Sequence, residues 1–166
     1  HAVKICKENL LGKSENILVL YGDMPFISTE AIVDLVRVHN NSHSVLSLMT
    51  VTVPDFEDWR EVFYSYGRII RKNGKIYSIV ELKDCTDEEK SIKEVNPSFF
   101  CFTSDWLWEN IEKLNNNNAQ KEYYLTDLLK YAVLQDEKVE YIEIEPRKAL
   151  GVNTLQQLEI VEKFLF

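Results

Sequence analysis

The chain has 166 residues, 45% of them apolar, and carries 27 acidic against 19 basic side chains for a formal net charge of -8. That length suits one domain with a real core and leaves little room for two, while a negative field repels polyphosphate backbones and argues against nucleic acid as a main partner. No apolar run reaches the roughly 20 residues of a membrane span, and the amino terminus has no basic-then-apolar signal pattern. Cys6, Cys85 and Cys101 are too scattered for a disulfide framework or a zinc site, so reduced thiols in the cytoplasm are expected. The chain begins at His1 rather than a methionine, which fits a cleaved product or a piece of a longer protein.

Residues 17–20, ILVL, are branched and apolar, and the pattern predicts a strand buried on both faces as in a parallel sheet. The chain then leaves the sheet at Gly22, which puts the Asp23 carboxylate at the carboxyl end of a central strand, where open α/β sheets bind their ligands. Asp23 either holds a divalent ion there or only shapes the turn before Pro25, since Asp and Pro are ordinary turn residues. Ile32, Leu35 and Val36 predict a helix over 29–39, with Ser28 or Thr29 as its cap. A strand over 46–53 follows, so the opening reads strand, helix, strand, the unit of right-handed parallel crossovers. Between Pro54 and Tyr66 the segment WREVF is either a short helix or a flap.

Farther along, Asn73-Gly74 between two β-type runs, 67–71 and 75–80, is a strong hairpin signal because both residues tolerate positive φ. A charged helix or loop is expected over 84–90, a buried strand over 99–103 and an amphipathic helix over 105–114. Four asparagines at 115–118 make a polar loop before a helix over 125–134, an alternating strand over 139–144 and a closing helix over 155–166. Strands alternating with helices, with one hairpin inserted, indicate a three-layer α/β fold with a mixed sheet.

Polar residues collect at the ends of these strands. Asp23 follows the first, Glu81 follows the hairpin, Asn96 precedes the strand at Phe99, and Asn153 precedes the last helix. Mg2+ is commonly met by one or two protein oxygens plus substrate phosphates, so Asp23 with Asn153 would suffice. The competing role for Asn153 is to cap the helix that begins at Leu155. His1, His39 and His43 fall at the terminus or around a helix end, where solvated roles are expected, and no serine sits in a G-x-S-x-G elbow. Cys85 reads as a loop thiol and Cys101 as a core residue. What remains is chemistry by positioning and charge neutralisation, the mode of phosphoryl and nucleotidyl transfer.

The blocks YGDMPFIS at 21–28, YGRIIRKNGKIYSIVELKDCT at 66–86, NNNNAQKEYYLTDLL at 115–129 and GVNTLQQLE at 151–159 stand in the order found in bacterial N-acetylglucosamine-1-phosphate uridylyltransferases, and the chain resembles that family. His1-Ala2-Val3 is similar to the segment that follows a Gly-Thr-Gly turn there. The resemblance implies a nucleotide-diphospho-sugar transferase fold, Rossmann-like with a mostly parallel sheet, of which residues 1–166 would be the second part, without its amino-terminal strands. It further implies that Asp23 and Asn153 hold Mg2+, that Tyr21 and Gly22 line the nucleotide side, and that Gly67, Glu81, Asn96, Tyr124 and Thr126 meet the sugar or its phosphate. The substrates implied are UTP and N-acetylglucosamine-1-phosphate, and the products are UDP-N-acetylglucosamine and pyrophosphate.

Three departures from the family qualify that expectation. Asn96-Pro97-Ser98 replaces Asn-Thr-Gly, and the 56–65 stretch is bulkier than the usual loop. Nothing before Tyr21 resembles the glycine-rich, basic triphosphate loop, so weak or absent turnover is expected from residues 1–166 alone. Other readings are a non-catalytic binding or assembly module that pairs with itself or with a missing amino-terminal portion, and a related transferase using another base or sugar.

Overall fold

Alternation along one strand divides the core in two. The computed structural model describes residues 1–164, and at its centre β2 (Leu46–Thr52) turns Leu46 and Leu48 to one face and Met49 and Val51 to the other. On the first face these residues meet α5 (Ser104–Asn110) and α6 (Asp127–Leu134) through Trp106, Leu107, Leu128 and Leu129. On the second they meet α3 (Thr29–Ser42) and the 3-10 turn Asp58–Ser65 through Ala31, Leu35, Val62 and Phe63. Helices thus cover both faces of one sheet, the expected three layers. Remaining elements are α1 (Ala2–Ile5), α2 (Lys7–Leu10), β1 (Asn16–Val19), β3 (Gly67–Lys72), β4 (Lys75–Val80), α4 (Asp87–Lys90), β5 (Glu94–Asn96), β6 (Phe100–Thr103), β7 (Val139–Glu143) and α7 (Leu155–Glu162).

Local chemistry explains most of these boundaries. The Ser28 hydroxyl accepts the Ala31 N–H at 3.3 Å and caps α3, whose last turn closes on His43 in the left-handed region at φ 55°. Asn73 and Gly74 carry the hairpin with φ of 51° and 77°. Thr86 and Glu89 form a reciprocal capping box on α4. Among the described residues of the closing segment, 155–162 are helical, and the end of the expected 155–166 helix lies outside the described residues.

Strand directions depart from the mostly parallel sheet that the resemblance implied. The path is β1-β6-β2-β5-β3-β4, with β7 on the other edge of β2, and β2–β7 is parallel while the other pairs are antiparallel. β1 and β2 do run in the same direction, as their crossover helix requires, but β6 is inserted between them, antiparallel to both. A crossover fixes the relative direction of its two strands and leaves their adjacency open.

Among the described residues β1 is therefore at the edge of the sheet and not at its centre. Ile17 alone in it is fully buried, and Leu20 and Tyr21 just beyond are 41% and 44% exposed, because one flank has no strand among the described residues. One smaller expectation also changes. His39 is not solvated: it is buried at the α3–β2 interface, where Nδ1 lies 3.0 Å from Ser47 Oγ, and burial lowers its pKa. Cys85 is the loop thiol expected, free but buried.

β5 and β6 are one bent strand. Both lie on the same flank of β2, pairing Val95 with Val51 and Phe100 with Leu48, and the bend falls at Pro97-Ser98. Beyond it the outer flanks diverge, β5 to β3 and β6 to β1, and the cleft that opens there holds the candidate site.

Candidate active site

Past β1 the chain turns out of the sheet, and the Asp23 carbonyl accepts the Val152 N–H at 2.9 Å, joining the two segments that carry Asp23 and Asn153. Oδ1 of Asp23 is buried and has no hydrogen-bond partner among the described residues. A carboxylate that only shaped a turn would spend that oxygen on a backbone amide. The cap of α7 is Thr154, whose hydroxyl accepts the Gln157 N–H at 3.2 Å, so the capping role considered for Asn153 is filled by its neighbour. Asn153 gives only its main-chain N–H to Gln157 Oε1, at 2.6 Å. Its side-chain nitrogen lies 3.8 Å from where a Cβ on Gly151 would stand.

Among the described residues no three His, Cys, Asp or Glu side chains cluster as a metal cage. An orphaned carboxylate oxygen on Asp23, in a segment bonded through the main chain to the one that carries the exposed Asn153 amide, is instead the kind of sparse oxygen donor set that Mg2+ tolerates when substrate and water complete its shell. The residues present fit that ion.

Toward the other side of the cleft, Glu81 follows β4 and accepts the Thr126 hydroxyl at 2.8 Å. Burial raises its pKa, Thr126 pulls it back, and the charges of Asp127 and Asp84 push it up again. Gly67 makes room for this carboxylate, since a Cβ there would stand 2.8 Å from Ile79 Cγ2 and 3.3 Å from Glu81 Oε2. Tyr21 faces both halves: although 44% of the residue is exposed, its position on the cavity wall partly desolvates the hydroxyl and raises its pKa, and the charges of Glu81 and Asp23 add to the effect. The Tyr124 hydroxyl is buried and, like Asp23 Oδ1, makes no hydrogen bond of good geometry among the described residues, although Gln120 and Asp84 lie close to it. Two of the three orphaned buried side-chain atoms among the described residues thus belong to this site, where a ligand could satisfy them.

Tyr21, Glu81, Tyr124 and Thr126 line one cavity of about 930 Å³, within the range of small-molecule sites. Gly22, Asp23 and Asn153 lie outside that lining, toward the Val152 junction, and Gly67 sits beneath Glu81. Asn96 is placed differently. It is buried, with Oδ1 accepting the Ser98 N–H at 3.0 Å and Nδ2 donating to Ser98 Oγ at 3.2 Å, so its amide is spent on the bend and Ser98 lines the cavity instead. Sequence reasoning also missed Ala2, Ile5 and Tyr123 on the wall, and the tyrosine at 66 that holds the Gly151 segment. The loop before Thr126 is ordered by its own asparagines, with Asn118 Oδ1 accepting the Glu122 N–H at 3.1 Å and Asn115 Oδ1 the Asn117 N–H at 2.9 Å.

A two-sided α/β sheet opening at the ends of β1 and β4 is the nucleotide-sugar transferase type of fold. It superposes with a TM-score of 0.69 on a protein described as a glucose-1-phosphate thymidylyltransferase of Bacillus anthracis, at 19% identity, over 98% of this chain and 58% of that one. A 4-diphosphocytidyl-2C-methyl-D-erythritol synthase of Anaerococcus prevotii gives a TM-score of 0.62 at 16% identity, over 98% of this chain and 64% of that one. In sequence, the chain is homologous to one part of the bifunctional protein GlmU. It is 39% identical to that of Clostridium novyi over 99% of its own length and 40% identical to that of Fervidobacterium nodosum over the same share. It spans about 35% of the length of each of these two relatives. No protein-family profile matches the chain.

Proposed function

We propose that this chain carries the metal and acceptor-sugar side of a uridylyltransferase site, which joins UTP to N-acetylglucosamine-1-phosphate and yields UDP-N-acetylglucosamine and pyrophosphate. The observation that carries the reading is the junction of Asp23 with the Gly151–Asn153 segment, with a buried, unpartnered carboxylate oxygen, beside a cavity walled by Glu81, Tyr124 and Thr126. Asp23 and Asn153 would hold Mg2+. Bound there, the ion would supply neutralisation of the phosphate charge that builds as pyrophosphate leaves.

The protein groups bind and orient. Glu81 accepts hydroxyl or amide hydrogens of the sugar, Thr126 keeps that carboxylate aimed, and Tyr124 offers its unsatisfied hydroxyl. The sugar phosphate oxygen then attacks the α-phosphorus of UTP in line. Three free thiols fit a reducing cytoplasm, and among the described residues no helix is long and apolar enough to cross a membrane.

Calorimetric titration of residues 1–166 with N-acetylglucosamine-1-phosphate should give saturable binding that Glu81→Ala abolishes, while Asp23→Ala removes the Mg2+ dependence of UDP-N-acetylglucosamine binding. Pyrophosphate release with UTP should be weak or absent from these residues alone, since none before Tyr21 forms a basic glycine-rich loop. Sugar-phosphate binding that survives Glu81→Ala would refute the acceptor site.

The exposed edge of β1 favours a second reading, in which the chain assembles with a copy of itself or with another segment.

A further inference from the structure

Tyr66 is half of the Tyr66-Gly67 pair that opens β3, yet its side chain reaches a distant segment. The hydroxyl donates to the Ala149 carbonyl at 2.8 Å and accepts the Gly151 N–H at 3.1 Å, so a single oxygen bridges two main-chain groups on either side of Leu150. Ala149, Leu150 and Gly151 are all buried, and so is the tyrosine, whose ring meets Phe63 edge-on at 5.2 Å. A Cβ on Gly151 would stand 2.9 Å from the hydroxyl, so a glycine is needed at that position for the contact to form. The next residue, Val152, donates to the Asp23 carbonyl, and the one after it is Asn153.

We propose that Tyr66 is a positioning residue for the metal site. By clamping Ala149 and Gly151 it fixes the segment that presents Asn153 to Asp23. This rests on the reading of Asp23 and Asn153 as the Mg2+ ligands. The adjoining Gly67 meanwhile leaves space for Glu81, so one dipeptide sets the spacing of both halves of the site: Tyr66 through its hydroxyl and Gly67 through having no side chain. Tyr66 touches neither substrate nor ion in this role, and removing its hydroxyl should loosen one half of the site and leave the other.

The test measures Mn2+ binding, as a paramagnetic stand-in for Mg2+, by water-proton relaxation on residues 1–166. N-acetylglucosamine-1-phosphate binding is measured beside it by calorimetry. Tyr66→Phe should weaken Mn2+ affinity roughly 10-fold, the lower end of what loss of a supporting hydrogen bond costs a metal site, with sugar-phosphate affinity unchanged. Gly151→Ala breaks the same contact from its other side and should reproduce the split, which keeps the inference testable should the phenylalanine variant fail to fold. In the wild-type chain the Gly151 amide should exchange slowly with solvent, and fast exchange would overturn the clamp directly. Equal losses for both ligands would mean general loosening and would also overturn it. Wild-type Mn2+ affinity in Tyr66→Phe, with the ion lost in Asp23→Ala, would overturn the positioning role alone. No difference between the wild type and Asp23→Ala would remove the metal site and this inference together.

Discussion

At Glu81 burial and a hydroxyl pull the carboxylate in opposite directions, and burial prevails. Its carboxylate is partly desolvated, with Asp84 and Asp127 nearby, and Thr126 supplies its hydrogen bond. Thr126→Val keeps the side-chain shape and removes the donor, which should cost about 1 kcal/mol in urea denaturation at pH 7, the lower part of the range for an orphaned polar group. The pH dependence has a definite sign. A carboxyl whose folded pKa is raised contributes fully to stability below its ordinary value near 4.5 and loses that contribution as pH rises through the raised value. Glu81→Gln should therefore be more stable than the wild type at pH 7 and lose that advantage by pH 4, read from denaturation midpoints. An advantage that persisted at pH 4 would mean that charge burial is not the cause.

At the scale of the element, the bend between β5 and β6 was legible in the sequence only as the Pro97-Ser98 irregularity. Helix α3, the hairpin and β2 could be read because cap, turn residues and periodicity sit within a few positions of one another. Strand neighbours could not, because β6 enters between β1 and β2 from a distant part of the chain. In the site, Asp23 and Asn153 could be read as polar residues at element ends, and the structure joins their segments through the main chain, while the contact of Tyr66 with Gly151 could not be read, since it exists only once the two distant segments meet. Ser98 stands at φ 65°, which costs a non-glycine residue about 1–2 kcal/mol. Its hydroxyl returns about 0.5–1.5 kcal/mol through the bond from Asn96 Nδ2. Those magnitudes nearly cancel, so Ser98→Gly should leave the urea midpoint close to that of the wild type. Ser98→Ala keeps the strained backbone without the bond and should lose about 1 kcal/mol. Equal stability of all three chains would show that neither effect operates at the bend.

For the molecule as a whole, the exposed flank of β1 is set against net charge. β1 pairs with β6 on one side, and on the other its main-chain groups have no strand partner among the described residues, with Leu20 and Tyr21 exposed beside them. Such an edge favours pairing with a second copy across a two-fold axis. Two copies at -8 each repel over about a Debye length, roughly 10 Å at 0.1 M salt. Apolar and main-chain contacts depend little on ionic strength, so salt should remove mainly the repulsion. Sedimentation velocity should accordingly show association that strengthens as salt is raised, the reverse of what an interface built on ion pairs would do. Leu20→Glu removes an apolar side chain beside the edge and adds to the negative charge, so it should suppress association at every salt concentration. A monomer that stays monomeric in high salt would rule out the edge as a contact between copies.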